Sequence, residues 1–181
     1  MTIKYQTERL ILRPWREDDK PHFAAMNADA RVMEFFPELK TREQSDQMID
    51  ECNRRLARDG FTFWAVDRKD NNEFTGFVGL NTFEANLPFC PCVEIGWRLA
   101  YAHWGHGFAT EAARKCLSLA FTDFSLNKIV SFTTVANTRS RHVMEKIGMV
   151  DTGNNFLHPS IDEASGMREH CLYQAVSWIK P

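Results

Sequence analysis

Gly105 and Gly107 bracket a single residue, with an apolar strand pattern before them and a helical pattern after them. Strand, glycine turn and helix start together present bare main-chain N–H groups to a ligand. The first turn of a helix has unpaired donors and a partial positive charge, so the chemistry this arrangement favours is the holding of a phosphate. Glycine has no Cβ, which permits φ > 0 and a close approach of the ligand to the main chain. Two familiar phosphate sites do not fit. A P-loop needs Lys and Ser/Thr after its last glycine, and neither is present. A dinucleotide fold needs a third glycine where Thr110 stands, and helices between successive strands. Here three strand patterns precede the turn, joined by loops. On spacing alone, a plain tight turn remains the competing reading.

The elements that must position this turn can be read outward from it. Val93 to Leu99 alternates cleanly. Val93, Ile95, Trp97 and Leu99 share one face, and Glu94, Gly96 and Arg98 the other. After the turn, Ala113, Cys116, Leu117, Ala120, Phe121 and Phe124 recur at helical spacing. Upstream, Glu8 to Arg13 reads as a first strand closed by Pro14. Glu17, Asp18 and Asp19 open a helix carrying Phe23, Met26 and Asn27. Asp29 predicts a second, short helix over Val32, Met33 and Phe36, stopped by Pro37. Thr41 with Gln44 forms a capping box for a helix with the stripe Met48, Ile49, Cys52 and Leu56, ended by Gly60. Phe61 to Asp67 and Phe74 to Phe83 are strand patterns. Gly76 and Gly79 in the second mark a bulge or another backbone close by. Ile129 to Val135 is a strand, and Asn137 to Ser140 starts a short helix with Val143, Met144 and Ile147 turned inward. Met149 to Thr152 and Arg168 to Trp178 are the last strands, with a polar loop, Gly153 to Gly166, between them. The order β-α-α-β-β-β-α-β-α-β-β is that of a mixed α/β domain, one domain over residues 1–181.

Composition narrows the function classes. Net charge is -2 and no long basic run appears, so no nucleic-acid partner is expected. No run of 18 apolar residues exists, so no membrane span is expected, and Met1 to Gln6 lacks the apolar core of a signal peptide. The cytoplasm is the expected compartment. The five cysteines read as free thiols, and Cys90-Pro91-Cys92 is too close and too isolated for a zinc site, so no metal is expected.

The segment Trp104-Gly105-His106-Gly107-Phe108-Ala109-Thr110-Glu111-Ala112 resembles the acetyl-CoA motif of the GNAT N-acetyltransferases. More narrowly it is similar to the RimJ/RimL branch, in which Trp precedes the first glycine. Thr7 to Pro14 resembles that branch's opening, Glu94-Ile95-Gly96-Trp97 its fourth strand, and Asn137-Thr138-Arg139-Ser140 with Glu145 to Met149 its later motif. Pro88 to Pro91, Phe156 to Pro159 and Met167 to Tyr173 are similar to a bacterial subgroup of these enzymes. The resemblance implies an α/β (α+β mixed) GNAT fold: a central mixed, mostly antiparallel sheet whose fourth and fifth strands splay apart. It also implies direct transfer of acetyl from acetyl-CoA, as co-substrate, to a primary amine, with no covalent enzyme intermediate.

The same resemblance implies roles for particular residues. Trp104, Gly105, His106, Gly107, Phe108, Ala109 and Thr110 would hold the pyrophosphate, the main chain of Trp97, Arg98 and Leu99 the pantetheine arm, and Asn137 the same arm. Asn137 is also a natural helix cap. Many family members protonate the thiolate with a Tyr, but that position is Met144 here, which cannot donate. Ser140 is the expected substitute, as donor or as a hydrogen bond to sulfur. Glu94 is the first candidate for the base that deprotonates the amine, against an ordinary strand Glu paired with Arg98; His158, in a loop, is the second. The expected acceptor is the α-amine of a protein N-terminus. A small amine, an antibiotic, or a module that binds acetyl-CoA without reacting are the alternatives, and the family makes a homodimer the analogy. Pro37 to Gln44, Glu84 to Pro91 and Gly153 to Gly166 are the segments expected to line the acceptor cleft.

Overall fold

Local signals fix the ends of the helices. Thr41 Oγ1 accepts from the Gln44 N–H at 3.2 Å, and Gln44 Oε1 accepts from the Thr41 N–H at 2.8 Å, closing the capping box. The helix it starts, α2, runs Arg42–Asp59 and ends at Gly60 in the left-handed conformation. The structure, a computed structural model, describes residues 4–177. The expected last strand therefore ends, at Trp178, outside the described residues. The remaining helices are α1 (Asp19–Asn27), α3 (Phe108–Thr122) and α4 (Thr138–Lys146).

The strands are β1 (Tyr5–Gln6), β2 (Leu10–Arg13), β3 (Phe63–Arg68), β4 (Phe74–Phe83), β5 (Cys92–Leu99), β6 (Lys128–Thr134), β7 (Val150–Asp151), β8 (Phe156–Leu157) and β9 (Glu169–Val176). Their order across the sheet is β1-β2-β3-β4-β5-β6-β9-β7, with β8 also paired to β9. Neighbours are antiparallel except β5 and β6, which run parallel and meet only at Glu94 and Val130. These two are the fourth and fifth strands of the expectation, displaced by one in number because β1 precedes them.

Two apolar layers hold the sheet. Trp15, Phe23, Met26, Ile49, Ala65 and Phe77 pack under α1 and α2. Trp64, Val78, Ile95, Ala113, Cys116 and Met144 belong to the layer under α3 and α4. Trp64 and Ala65, adjacent in β3, fall in opposite layers, as the period of a strand requires. Close strand contact depends on Gly76, where a Cβ would collide with the Arg98 carbonyl of β5. Arg13 joins three elements on the α1/α2 side. Its guanidinium donates to Asp19 at 2.7 Å and to Asp67 at 2.6 Å, and all three residues are buried. Burial alone would lower the Arg13 pKa, but the two carboxylates raise it well above its ordinary value.

Two expectations need correction. The short helix after Asp29 is a run of turns. Asp29 Oδ1 accepts from the Arg31 N–H at 2.9 Å and its carboxylate also holds the Arg31 guanidinium, which stops the chain in a local turn. The loop Gly153 to Gly166 contains a strand, β8, that pairs Phe156 with His170. Two residues are too few to show a period in sequence.

Candidate active site

A 3-10 turn over Tyr101–His103 leads from β5 into the glycine turn. Gly105 and Gly107 both have φ of 79°, the left-handed region that other residues enter at a cost. Gly107 is the N-cap of α3 and supplies no side-chain cap. The first helical bond is from the Glu111 N–H to the Gly107 carbonyl, at 3.0 Å. The amides of Phe108, Ala109 and Thr110 precede it and have no helical carbonyl to pair with. The turn is braced from the first strand. Arg9 donates to the His106 carbonyl at 3.0 Å and to Glu111 at 2.7 Å, and its guanidinium lies 4.8 Å from the centre of the Phe108 ring. Burial works against ionisation of Glu111. The Thr7 hydroxyl and Arg9 outweigh it and hold the carboxyl below its usual range. A cleft of about 410 Å³ beside the turn is walled by Gly107 and Thr110, the cations Arg9, Arg114 and Lys146, and the acids Glu8 and Glu111. His106 stacks on Phe108, whereas His103 turns inward to within 3.7 Å of Glu73.

The parting of β5 and β6 supplies the second part of the site. The Ser131 hydroxyl donates to the Ile95 carbonyl at 2.9 Å, just beyond the Glu94–Val130 contact, and from there the strands separate. The Ala100 N–H donates to Thr75 of the β4 side at 2.9 Å. Hydrogen-bonding groups alternate sides along a strand, so Arg98, expected to hold the pantetheine arm, turns its main chain to β4 instead and drops out of that set, while Trp97 and Leu99 turn theirs to the gap. Trp104 Nε1 takes the Leu99 carbonyl at 2.8 Å. The Trp97 N–H and carbonyl and the Leu99 N–H are thus the main-chain groups aimed at the gap. Across it, Asn137 caps α4. Its Oδ1 accepts from the Ser140 N–H at 3.1 Å, and its Nδ2 donates to Thr133 Oγ1 at 3.0 Å, leaving one amide hydrogen. Ser140 is half-buried on the first turn of α4, and Met144 is buried in the core.

The face of the sheet under α1 and α2 carries different chemistry. Glu94 sits there, at the point where β5 and β6 part. Asn81 Nδ2 donates to Glu94 Oε1 at 2.9 Å; Asn81 Oδ1 in turn accepts from Arg55, which also donates to the Thr82 carbonyl at 2.8 Å. Burial pushes the Glu94 carboxyl up to about 7, against the pull of the Asn81 hydrogen bond and the Arg55 charge. The alternative ion pair with Arg98 does not form, because Arg98 donates instead to Asn27 Oδ1, at 2.7 Å.

The register of β6 and β9 places Phe132, Thr134 and His170 on the face that Glu94 shares. Phe89 and Phe156, from two of the segments expected to line the cleft, close on Phe132 with ring centres 5.6 and 5.8 Å from it. His158 and His170 lie 5.1 Å apart beside them. His158 Nδ1 accepts from the Ser160 N–H at 3.3 Å, so the neutral ring carries its proton on Nε2. His170 is the reverse: Nδ1 donates to the Arg168 carbonyl at 3.1 Å, which leaves Nε2 bare. Burial lowers the pKa of both. Sequence reading missed the Arg55–Asn81 chain and gave His170 no role, because nothing local marks residues joined across a dozen or more positions of chain.

The sequence profile described as "Acetyltransferase (GNAT) domain" matches residues 9–150. The Bacillus subtilis (strain 168) protein YkkB is 31% identical over 147 residues, 81% of this chain and 84% of its own. A GNAT-family acetyltransferase from Bacillus anthracis superposes with a TM-score of 0.80 at 23% identity, over 96% of this chain and 98% of that one. A ribosomal-protein-S5-alanine acetyltransferase from Vibrio fischeri does so with a TM-score of 0.78 at 17% identity, over 99% and 100%. At those identities the two superpositions speak for the fold. Taken with the profile match over most of the length, they establish that this chain belongs to the GNAT acetyltransferase family and is an enzyme.

Proposed function

We propose that the protein transfers an acetyl group from acetyl-CoA to the N-terminal α-amine of a protein or peptide, as a member of the RimJ/RimL-like branch. GNAT acetyltransferases as a class use acetyl-CoA and act on amines. The turn suits the diphosphate of that substrate, with glycines that leave the main chain bare and three unpaired amides at the start of α3. The Trp97 main chain suits the amides of the pantetheine arm, which would pair with it as an added strand. Ser140, on the first turn of α4, serves the sulfur as donor or hydrogen-bond partner.

The observation that carries the reading is Glu94. Its carboxyl lies where the strands part, and burial brings its pKa to about 7, the range in which a carboxylate accepts a proton from an ammonium group efficiently. His158 is the weaker base, because its Nδ1 lone pair is already engaged. The α-amine is favoured over polyamines and aminoglycosides because Phe89, Phe132 and Phe156, rather than a set of acids, cluster on the face that Glu94 shares. The Vibrio fischeri enzyme, whose fold this chain shares, is titled for a ribosomal-protein alanine. The test is a peptide library incubated with acetyl-CoA, read by thiol release and by mass spectrometry of the modified atom. Acetyl on the α-amine is the expected product; acetyl confined to lysine side chains or polyamines would overturn the assignment.

A further inference from the structure

Arg13 and Arg98 are two inward-facing arginines with opposite surroundings. Arg13 is held between the carboxylates of Asp19 and Asp67. Arg98, among the described residues, has no carboxylate within 4.0 Å of its guanidinium. Among the described residues its hydrogen-bond partner is the neutral Asn27 Oδ1 alone, and its buried Nε has none. Asn27 is fixed in that role, since its Nδ2 donates to Ser45 Oγ at 3.0 Å and Ser45 Oγ donates to the Thr41 carbonyl at 2.9 Å. Phe36 and Phe77 lie against the guanidinium at 4.1 and 5.5 Å. The guanidinium is therefore oriented by neutral groups and left unneutralised, with burial lowering its pKa to about 10. Arg98 is half-buried with its Nε enclosed, and an enclosed charge is ordinarily paired, so this surplus calls for an anion.

From this geometry we infer that Arg98 is a binding site for a carboxylate on the acceptor, and that the enzyme prefers amines carrying one. Arg98 and Glu94 project from the same face of β5, about 13 Å apart along the strand. They suit the two ends of an acceptor with a cationic amine and a separate acidic group. One cation between aromatic walls balances a monoanion; a phosphate dianion would be left under-neutralised. The inference rests on the reading of Glu94's face as the acceptor side and adds the charge that the acceptor brings to it.

The test uses matched acceptors that differ only in the acid: Ser-Glu and Ser-Gln peptides with amidated C-termini, and 4-aminobutyrate with its amide. Binding to the full chain saturated with CoA is measured by calorimetry, and the Arg98 Nε–H resonance is followed by NMR. Acetylation of the same pairs is measured by thiol release. At least one acid should bind about ten- to hundredfold more tightly than its amide, the range of a charge-assisted hydrogen bond. It should also shift the Arg98 resonance. Arg98→Gln should erase the preference while leaving acetyl-CoA affinity unchanged. Asn27→Asp, which supplies an internal counter-charge as Arg13 has, should erase it in a chain that remains folded with Arg98 intact. Equal binding within every pair, or a preference kept by Arg98→Gln, overturns the inference. So does a fall in acetyl-CoA affinity in Arg98→Gln, which would give the anion to the donor. An acid that shifts the Arg98 resonance without thiol release from any pair supports the carboxylate site while sinking the acetyl-transfer reading of its neighbour Glu94.

Discussion

The two sides of the β5–β6 parting are made of different materials. On the α3/α4 side the groups offered to a ligand are chiefly main chain: the amides of Phe108 to Thr110, set by two left-handed glycines, and the Trp97 edge, with the Asn137 and Ser140 side chains of α4 across the gap. On the α1/α2 side they are side chains: Glu94 held by Asn81 and Arg55, the histidine pair, and Arg98. A main-chain site tolerates changes of side chain and is sensitive to backbone conformation. A side-chain site has the reverse sensitivity. The first suits a substrate that is the same in every member of a family, and the second suits one that varies.

That contrast can be broken by substitution. The largest effect is expected from Glu94→Gln, which should lower kcat by about 10²- to 10⁴-fold, the usual contribution of a general base, while calorimetry finds acetyl-CoA affinity unchanged. A parallel loss of affinity would show that the two sides are not separable. Gly107→Ala should do the opposite. Forcing a Cβ into the left-handed region costs about 1–2 kcal/mol, so acetyl-CoA binding should weaken about tenfold with no change in the pH profile. Ser140→Ala should lower turnover by about two- to tenfold and leave affinity alone, the worth of one hydrogen bond. Unchanged turnover would remove Ser140 from the reaction.

Two smaller effects sharpen the comparison through pH. Asn81 favours the ionised form of Glu94, so Asn81→Ala should move the acid limb of the rate profile to higher pH. The same carboxyl binds its proton more tightly folded than unfolded. Its stabilising contribution is therefore complete below its ordinary pKa of 4.5 and is lost as pH rises through about 7. Melting temperatures of Glu94→Gln should fall less over that interval than those of the parent chain; identical slopes would mean that folding does not raise the Glu94 pKa. His158→Ala should keep the acid limb, because its basic nitrogen is already occupied by the Ser160 N–H.

What could be read from sequence follows the same division. The Thr41–Gln44 box, the Gly60 stop and the glycine turn depend on residues within a few positions of one another, and each forms as read. Alternation in β5 was enough to put Glu94 opposite Ile95 and Trp97. It could not say whether Glu94 pairs with Arg98, because that depends on Asn81 from β4 and Asn27 from the end of α1. The Phe89–Phe132–Phe156 contact joins a loop and the two-residue β8 to β6 and leaves no periodic trace. Asp29 shows the limit of a local rule: a capping residue can end a turn as readily as begin a helix when its own neighbour, Arg31, satisfies it.

On the proposed reading, Glu94 deprotonates an amine beside a substrate held by main chain. The most direct measurement is kcat/KM for thiol release against pH, in the parent enzyme and in Glu94→Gln. The parent should show an acid limb near pH 7, set by a carboxyl that burial has raised, and the variant should lose it at a greatly reduced rate. The same limb at the same rate in both proteins would contradict it.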